Sequence, residues 1–442
     1  VRGIDNKWQK ATLKQTGGDA MKHYKGLVRR AVAAVGIAAA LAVPAIGSAA
    51  DDTIKIGYID PLSGPFANVG DAGLKHFKYL AERINADGGI LGKDVEIIGY
   101  DNKSSAQESL QILREAADEG VHYVTQGNGS HVGGALVDGV EKHNRRNPDN
   151  RMVFLNYAAV DPALTGEKCS FWHFRFDANS AMKLQAITDY VAEQEDIKKV
   201  FLINMDYSHG QAISRIAKEM LKEKRPDIEI VGDVLHPVGK VKDFSPYVSQ
   251  IQSSGADTVI SGNWGNDLSL LVKAGSQAGL DTDWYTYYAG GLGTPTALGK
   301  AGAGHVKMVT EWQENLVEDY DAPELREILE EFEQRYDGIE FYYLRIKTEM
   351  DMLKKAMEEA GSTEPLAVAQ ALEGMTMETP FGTVTMREQD HQLLQPLFIS
   401  TFSEDYPKYD SEGTGIGWVM DAKLEAADTA VDSVCEMKRP SS

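Results

Sequence analysis

The side chains with chemistry to offer in this chain are hydroxyls, amides and aromatic rings, gathered in or beside six short segments: Pro61–Gly64, Gln126–Ser130, Asn156–Val160, Met205–Gly210, Gly262–Asn266 and Ala289–Gly293. They bring Ser63, Phe66, Asn128, Gly129, Ser130, Tyr157, Ala158, Tyr207, His209, Trp264, Tyr288 and Gly290 forward as candidate ligand contacts. Almost none is charged; Asp206, His131 and His209 are the ones that could be. Such a set suits a small organic ligand held by ring stacking, hydroxyls and backbone N–H groups.

Catalytic motifs do not accompany these residues. There is no Gly-x-Ser-x-Gly, no His-Glu-x-x-His and no phosphate-binding loop. Gly127-Asn128-Gly129 with Gly133 is a relaxed dinucleotide pattern. It follows the third strand of its repeat, whereas a fingerprint follows a first strand and has an acid capping the second. No cofactor is expected. Cys169 and Cys435 are the two cysteines. Two thiols in an exported chain are expected to pair. No His pair stands at ligand spacing beside them, so no metal site is expected.

Export is read from the N-terminal residues. Met21 opens a basic segment with Lys22, Lys25, Arg29 and Arg30, an apolar run follows from Ala31 to Val43, and Ser48-Ala49-Ala50 offers small residues for cleavage. That order is a signal peptide, and its apolar run is too short to span a bilayer. Residues 1–50 are therefore expected to be absent from the mature, periplasmic protein, with translation starting at Met21. Without them the 442-residue chain keeps 37 Lys and Arg against 64 Asp and Glu, a net charge of −27. So acidic a surface repels nucleic acid and anionic lipid, and neither a nucleic-acid partner nor membrane insertion after cleavage is expected.

The elements that must position the candidate residues alternate strand and helix. Thr53–Ile59 alternates apolar residues and stops at Asp60-Pro61; Leu74, Phe77, Leu80, Ala81 and Ile84 recur at helical spacing; Asp87-Gly88-Gly89 closes that helix. Ser104-Ser105 with Gln107 and Glu108 reads as a capping box. Strands follow at 123–125 and 152–155. The rhythm restarts near 175–179, with strands at 200–204, 228–231, 258–261 and 284–288. A doubled β-α order predicts two doubly wound α/β lobes, each a parallel sheet with helices on both faces. Ligands of open α/β sheets bind beyond the carboxyl ends of the strands, where the six segments lie. A helical stretch runs from Pro323 to Gly374, and Val384 and Phe398 lie in short strands. The acidic and basic runs of 324–335 and 347–359 read as solvated helix faces, Tyr342 and Tyr343 as core, and the stretch after Asp405 as an irregular surface tail.

From Ile54 to about Phe402 the chain resembles the Leu/Ile/Val-binding, type I periplasmic solute-binding proteins of ABC importers. "IKIGYIDPLSGPFANVG", "INADGGILGKDVEIIGYDNKS", "DYSHGQA", "DFSPYVSQIQSSGADTVISG" and "TPFGTVTMREQDHQ" carry the likeness in order and spacing. The resemblance implies two Rossmann-like lobes joined by three crossings, 51–177 with 310–376 and 178–309 with 377–405, followed by a tail at 406–442. It also implies capture of a small molecule between the lobes for an inner-membrane ABC permease, and no enzymatic activity.

Two departures bear on the ligand. Amino-acid binders of the family read roughly Ala-Ala-Thr after the fourth strand, where this chain has Ala158-Ala159-Val160. They hold the ammonium with an acid in the loop that is here Ala289-Gly290-Gly291-Leu292-Gly293. A buried ammonium without a counter-charge is costly. Ser130 is retained, and with helix-start N–H groups it suits a carboxylate. An aromatic or other apolar carboxylate, or an amide, is favoured, with a branched-chain or similar amino acid as the alternative. An exported hydrolase or dehydrogenase on a doubly wound fold and a soluble sensory module both stay open, since fold alone does not set function.

Overall fold

The structure, a computed structural model, describes residues 53–337 and 339–440. The predicted signal segment, residues 1–50, lies outside the described residues. Five parallel strands form the first sheet: β1 (Thr53–Asp60), β2 (Asp94–Asp101), β3 (Tyr123–Gln126), β4 (Val153–Asn156) and β5 (His173–Arg175), in the order β2-β1-β3-β4-β5. The second sheet repeats that order with β6 (Lys199–Met205), β7 (Glu229–His236), β8 (Thr258–Ser261), β9 (Asp283–Thr286) and β10 (Val306–Thr310), as β7-β6-β8-β9-β10. A three-stranded sheet follows, built from β11 (Thr376–Thr379), β12 (Gly382–Met386) and β13 (Leu393–Leu394). Two antiparallel strands, β14 (Leu397–Ser403) and β15 (Gly417–Leu424), extend the second sheet beyond β10.

Connections within each repeat are helices whose apolar faces cover the sheet, which is why the parallel strands read as apolar runs. Ser105 caps its helix as expected, accepting from Glu108 N at 3.3 Å. β5 and β10 were not anticipated. β5 is three residues long, and β10 alternates apolar Val306, Met308 and Val309 with Lys307 and Thr310. The stretch after Asp405, expected to be irregular, supplies β15. Trp418 on that strand is buried against Phe402, with ring centroids 5.1 Å apart. Alternation after Gly417 is weak, and pairing with β14 rather than local propensity makes it a strand.

Three cores result. One surrounds the first sheet and takes in the helices Pro323–Arg335, Leu344–Ala360 and Pro365–Leu372, together with Phe381, Val384 and Met386. The other two lie on the two faces of the second sheet. The chain passes between the lobes after β5, after β10 and between β13 and β14, so β11–β13, expected from residue 377 on in the second lobe, pack with the first core instead. The crossings are tied together: Arg175 donates from Nε to Gln392 Oε1 at 2.7 Å, and Gln395 donates to Phe176 O at 3.0 Å. Among the described residues no helix is long and apolar enough to cross a membrane.

Candidate functional site

In both sheets the strand order reverses direction at the first strand, so the loops after β1 and β3, and after β6 and β8, splay apart and leave a crevice. The two crevices face each other. At the floor of the first, Asp60 ends β1 fully buried and accepts from Gly127 N at 3.1 Å, Asn128 N at 3.0 Å and the Tyr157 hydroxyl at 2.6 Å. Burial pushes the Asp60 carboxyl up to about 6, against the pull of those donors. The carboxylate thus fixes the loop that leads into Ser130. That loop needs its glycines. A Cβ at Gly127 would lie 2.6 Å from the Tyr157 ring, and Gly129 caps the next helix at φ 97°.

Ser130 opens the helix Ser130–Arg146, and its Oγ accepts from Asp161 N at 3.1 Å, leaving the hydroxyl proton free to donate. From the second lobe, Tyr207 and Trp264 stand at the starts of two helices, and the Trp264 indole N–H donates to the Tyr207 hydroxyl at 2.8 Å. His209 is held at both ring nitrogens, by Ser180 Oγ at 2.7 Å and Gly262 O at 3.0 Å. Burial pushes it down to about 4, so it is neutral at pH 7.

These groups line a tight cavity between the lobes whose non-atom space, its open mouth included, is about 460 Å³. Of the sequence-derived candidates, Asn128, Gly129, Ser130, Ala158, Tyr207, His209, Trp264 and Tyr288 line it. Four do not. Ser63 is exposed and bonds to Asp101. Phe66 packs behind Trp264, with ring centroids 4.3 Å apart. Tyr157 lies under the wall, where its hydroxyl accepts from Asn128 Nδ2 at 2.8 Å. Gly290 faces Met308, and its neighbour Gly291 takes the place on the wall.

The structure adds Val69, Leu292, Tyr342, Tyr343 and Arg345 to the lining. Tyr342 and Tyr343 stand at the start of the helix Leu344–Ala360; as expected, Tyr343 is buried in the first core and Tyr342 packs against it, and both also reach the cleft. Arg345 is 1% exposed and, among the described residues, is the one lining residue with a permanent charge. Its nearest carboxylate is Glu311, at 2.7 Å. A single Arg at the head of a helical run gave no periodic signal; three preceding aromatics, Phe341, Tyr342 and Tyr343, were the available hint. The run behind it is not wholly solvated, since Glu349 is fully buried. Cys169 and Cys435 form a disulfide that ties the chain's last segment to the first lobe. Among the described residues no cluster of side chains could hold a metal ion.

The lobes meet at the mouth. Asn68 Nδ2 donates to Leu292 O at 3.3 Å, and Asn266 Nδ2 to Pro65 O, so each lobe supplies both a donor and an acceptor across the gap. Two lobes of like topology, each ending in a crevice, with the crevices shut against each other over an apolar cavity, describe a trap for a solute. The profile of the periplasmic binding protein family matches residues 53–407.

The chain belongs to that family.

It is 31% identical over 416 residues to the Leu/Ile/Val-binding protein homolog 4 of Brucella abortus, covering 91% of this chain and 97% of that one. It is 24% identical over 350 residues to the leucine-, isoleucine-, valine-, threonine- and alanine-binding protein of Pseudomonas aeruginosa, covering 77% and 88%. Among solved structures, the closed form of the corresponding Brucella ovis protein superposes with a TM-score of 0.77 at 29% identity, over 88% of this chain and 100% of that one. A solute-binding protein of R. palustris in complex with 4-hydroxybenzoate superposes with a TM-score of 0.70 at 19% identity, over 84% and 97%. The type I fold with two doubly wound lobes is thereby established. The chain is a periplasmic solute-binding protein, and these relatives are named as binding proteins.

Proposed function

We propose that this protein captures a small aromatic carboxylate in the interlobe cleft and delivers it to an inner-membrane ABC permease, after export by cleavage of residues 1–50. One observation carries the reading: the cavity is walled by Tyr207, Trp264, Tyr288, Tyr342 and Tyr343, and its one permanently charged lining residue is the cation Arg345. Aromatic faces favour a flat apolar ring. Ser130 Oγ, the N-terminus of its helix and Arg345 favour an anionic group. No carboxylate lines the cavity among the described residues, so an α-ammonium would lack a counter-charge. By the resemblance, Val160 and the acid-free loop Ala289–Gly293 stand where the amino-acid binders of the family carry a hydroxyl and an acid. That the same fold holds 4-hydroxybenzoate in the R. palustris protein is consistent with the reading.

A branched-chain amino acid is the second reading, favoured by the name of the 31% identical Brucella relative. Calorimetry on the refolded, ligand-stripped protein separates the two. Benzoate or 4-hydroxybenzoate is expected to bind, with leucine and isoleucine silent. Binding of leucine or isoleucine alone would overturn the aromatic reading.

A further inference from the structure

Behind the cavity wall lies a chain of four buried charges. Lys183 Nζ is 2.8 Å from Asp177 Oδ1, Asp177 Oδ2 is 3.7 Å from Arg345 Nη1, and the same Nη1 is 2.7 and 2.9 Å from the two Glu311 oxygens. All four residues are buried. The signs alternate, and each member comes from a different part of the fold. Lys183 is on the second lobe's helix Ser180–Ala192, and Arg345 on the first lobe's helix Leu344–Ala360. Asp177 and Glu311 sit on two of the three crossings.

Arg345 alone of the four reaches the cavity. Its guanidinium is flanked by three tyrosine rings of the wall, 5.7 Å from Tyr288, 5.8 Å from Tyr342 and 5.1 Å from Tyr343. Its Nε has no hydrogen-bond partner among the described residues. Burial works against the charge, but Asp177 and Glu311 hold the group protonated. The cluster is therefore neutral as a whole but polarised, with its cation toward the ligand and its carboxylates set back on the crossings. Coulomb energy falls with distance, and a group in the cavity feels the cation more than the two anions behind it.

We infer that this polarised cluster sets the cleft's choice between a carboxylate ligand and its neutral amide, with Arg345 as the reading residue and Glu311 as the positioning residue that moderates it. The inference rests on the aromatic-carboxylate reading of the cleft and names the groups that would enforce it. Because the cluster has no net charge, a neutral amide of the same shape can enter without leaving an isolated buried ion, so the preference for the acid is graded rather than absolute. Removing one carboxylate makes the cluster net positive and steepens the preference. Removing the Arg345–Glu311 pair together keeps neutrality but takes away the cation that faces the ligand.

The experiment is a titration of benzoate and benzamide into the full-length mature protein and two variants, read as the ratio of the two dissociation constants. Glu311→Gln is expected to shift the ratio toward benzoate. The double variant Arg345→Met/Glu311→Gln, which leaves no unpaired buried charge, is expected to lose about tenfold or more of the benzoate preference, the scale of a charge-assisted hydrogen bond. A ratio that stays at the wild-type value in both variants overturns the inference. Should the double variant fail to fold, Glu311→Gln decides alone. Should the wild-type protein bind leucine and neither aromatic probe, the reading of the cleft fails. The cluster is then judged by the same ratio taken with leucine and leucinamide, where a shift supports it and an unchanged ratio overturns it.

Discussion

Phe66 of the first lobe lies against Trp264 of the second, with ring centroids 4.3 Å apart and planes tilted by 34°. Phe66 is outside the cavity lining and Trp264 is inside it, so the pair couples the wall of the site to closure of the mouth. An aromatic pair of this kind contributes about 0.5–1.5 kcal/mol beyond the area it buries. Phe66→Ala is expected to weaken ligand binding roughly tenfold, while far-UV circular dichroism and the melting temperature of the unliganded protein stay near wild type. Unchanged affinity would mean that the pair plays no part in holding the lobes shut.

Ser130 stands at the helix start with its Oγ fixed by Asp161 N. Ser130→Ala removes the hydroxyl and leaves a polar ligand atom without its partner, a loss of about 1–3 kcal/mol. Calorimetry should show a weaker dissociation constant at constant stoichiometry. A variant that binds as tightly as wild type would place the ligand's polar group elsewhere.

Glu349 is fully buried, and burial raises its carboxyl from 4.5 to about 8 against the pull of the Thr125 hydroxyl. The folded state therefore keeps the proton over the interval between those values, where the unfolded chain has lost it. The stability that protonated Glu349 confers is fully present below about 4.5 and is lost as the pH rises through about 8. Glu349→Gln, which cannot ionise, is expected to gain on wild type as the pH rises across that interval, with the gap levelling off above it. Urea midpoints of both proteins from pH 5 to about pH 9 measure this. A gap independent of pH would show that the carboxyl titrates normally.

Cys169 and Cys435 are bonded across a sequence separation of 266 residues. Closing so long a loop contributes on the order of 4–5 kcal/mol in the chain-entropy account. Cys169→Ser with Cys435→Ser is expected to lower the melting temperature and to expose the segment after β15 to protease. Intact mass after alkylation under denaturing conditions, with and without reductant, reports the bond in the wild type. Two alkylated cysteines in unreduced protein exported to the periplasm would refute it.

The doubled strand-helix rhythm and the crevice-facing loops were legible in the sequence because each rests on local pattern, and the pairing of the two cysteines because two thiols stand in a chain expected to be exported. Period-two and period-3.6 apolar spacing marks the elements. Turn residues mark where strands stop, and residues at strand ends in an open α/β sheet face the crevice whatever the rest of the chain does. Asn128, Ser130, Tyr207 and Trp264 were found on those grounds. The family resemblance lies in the same stretches and supplied the three-crossing topology.

What lies far apart in the chain was decided by the tertiary structure. Gly290 and Gly291 look alike in sequence, yet only the second faces the cavity, because packing on Met308 fixes the turn. Tyr157 sits after a strand as Tyr207 does, but Asp60 at the end of β1 draws its hydroxyl under the floor. Arg345 stands just before the run 347–359, whose charge density spells a solvated helix, and Glu349 lies within it. One reaches the cleft and the other is buried in the first lobe because their helix is packed between the sheet and the crossings. Glu311 meets Arg345 from 34 residues earlier in the chain, and Asp177 from a segment well over a hundred residues earlier. No local spacing encodes that meeting. It exists because the crossings bring both segments to one place, where burial leaves each charge dependent on the others.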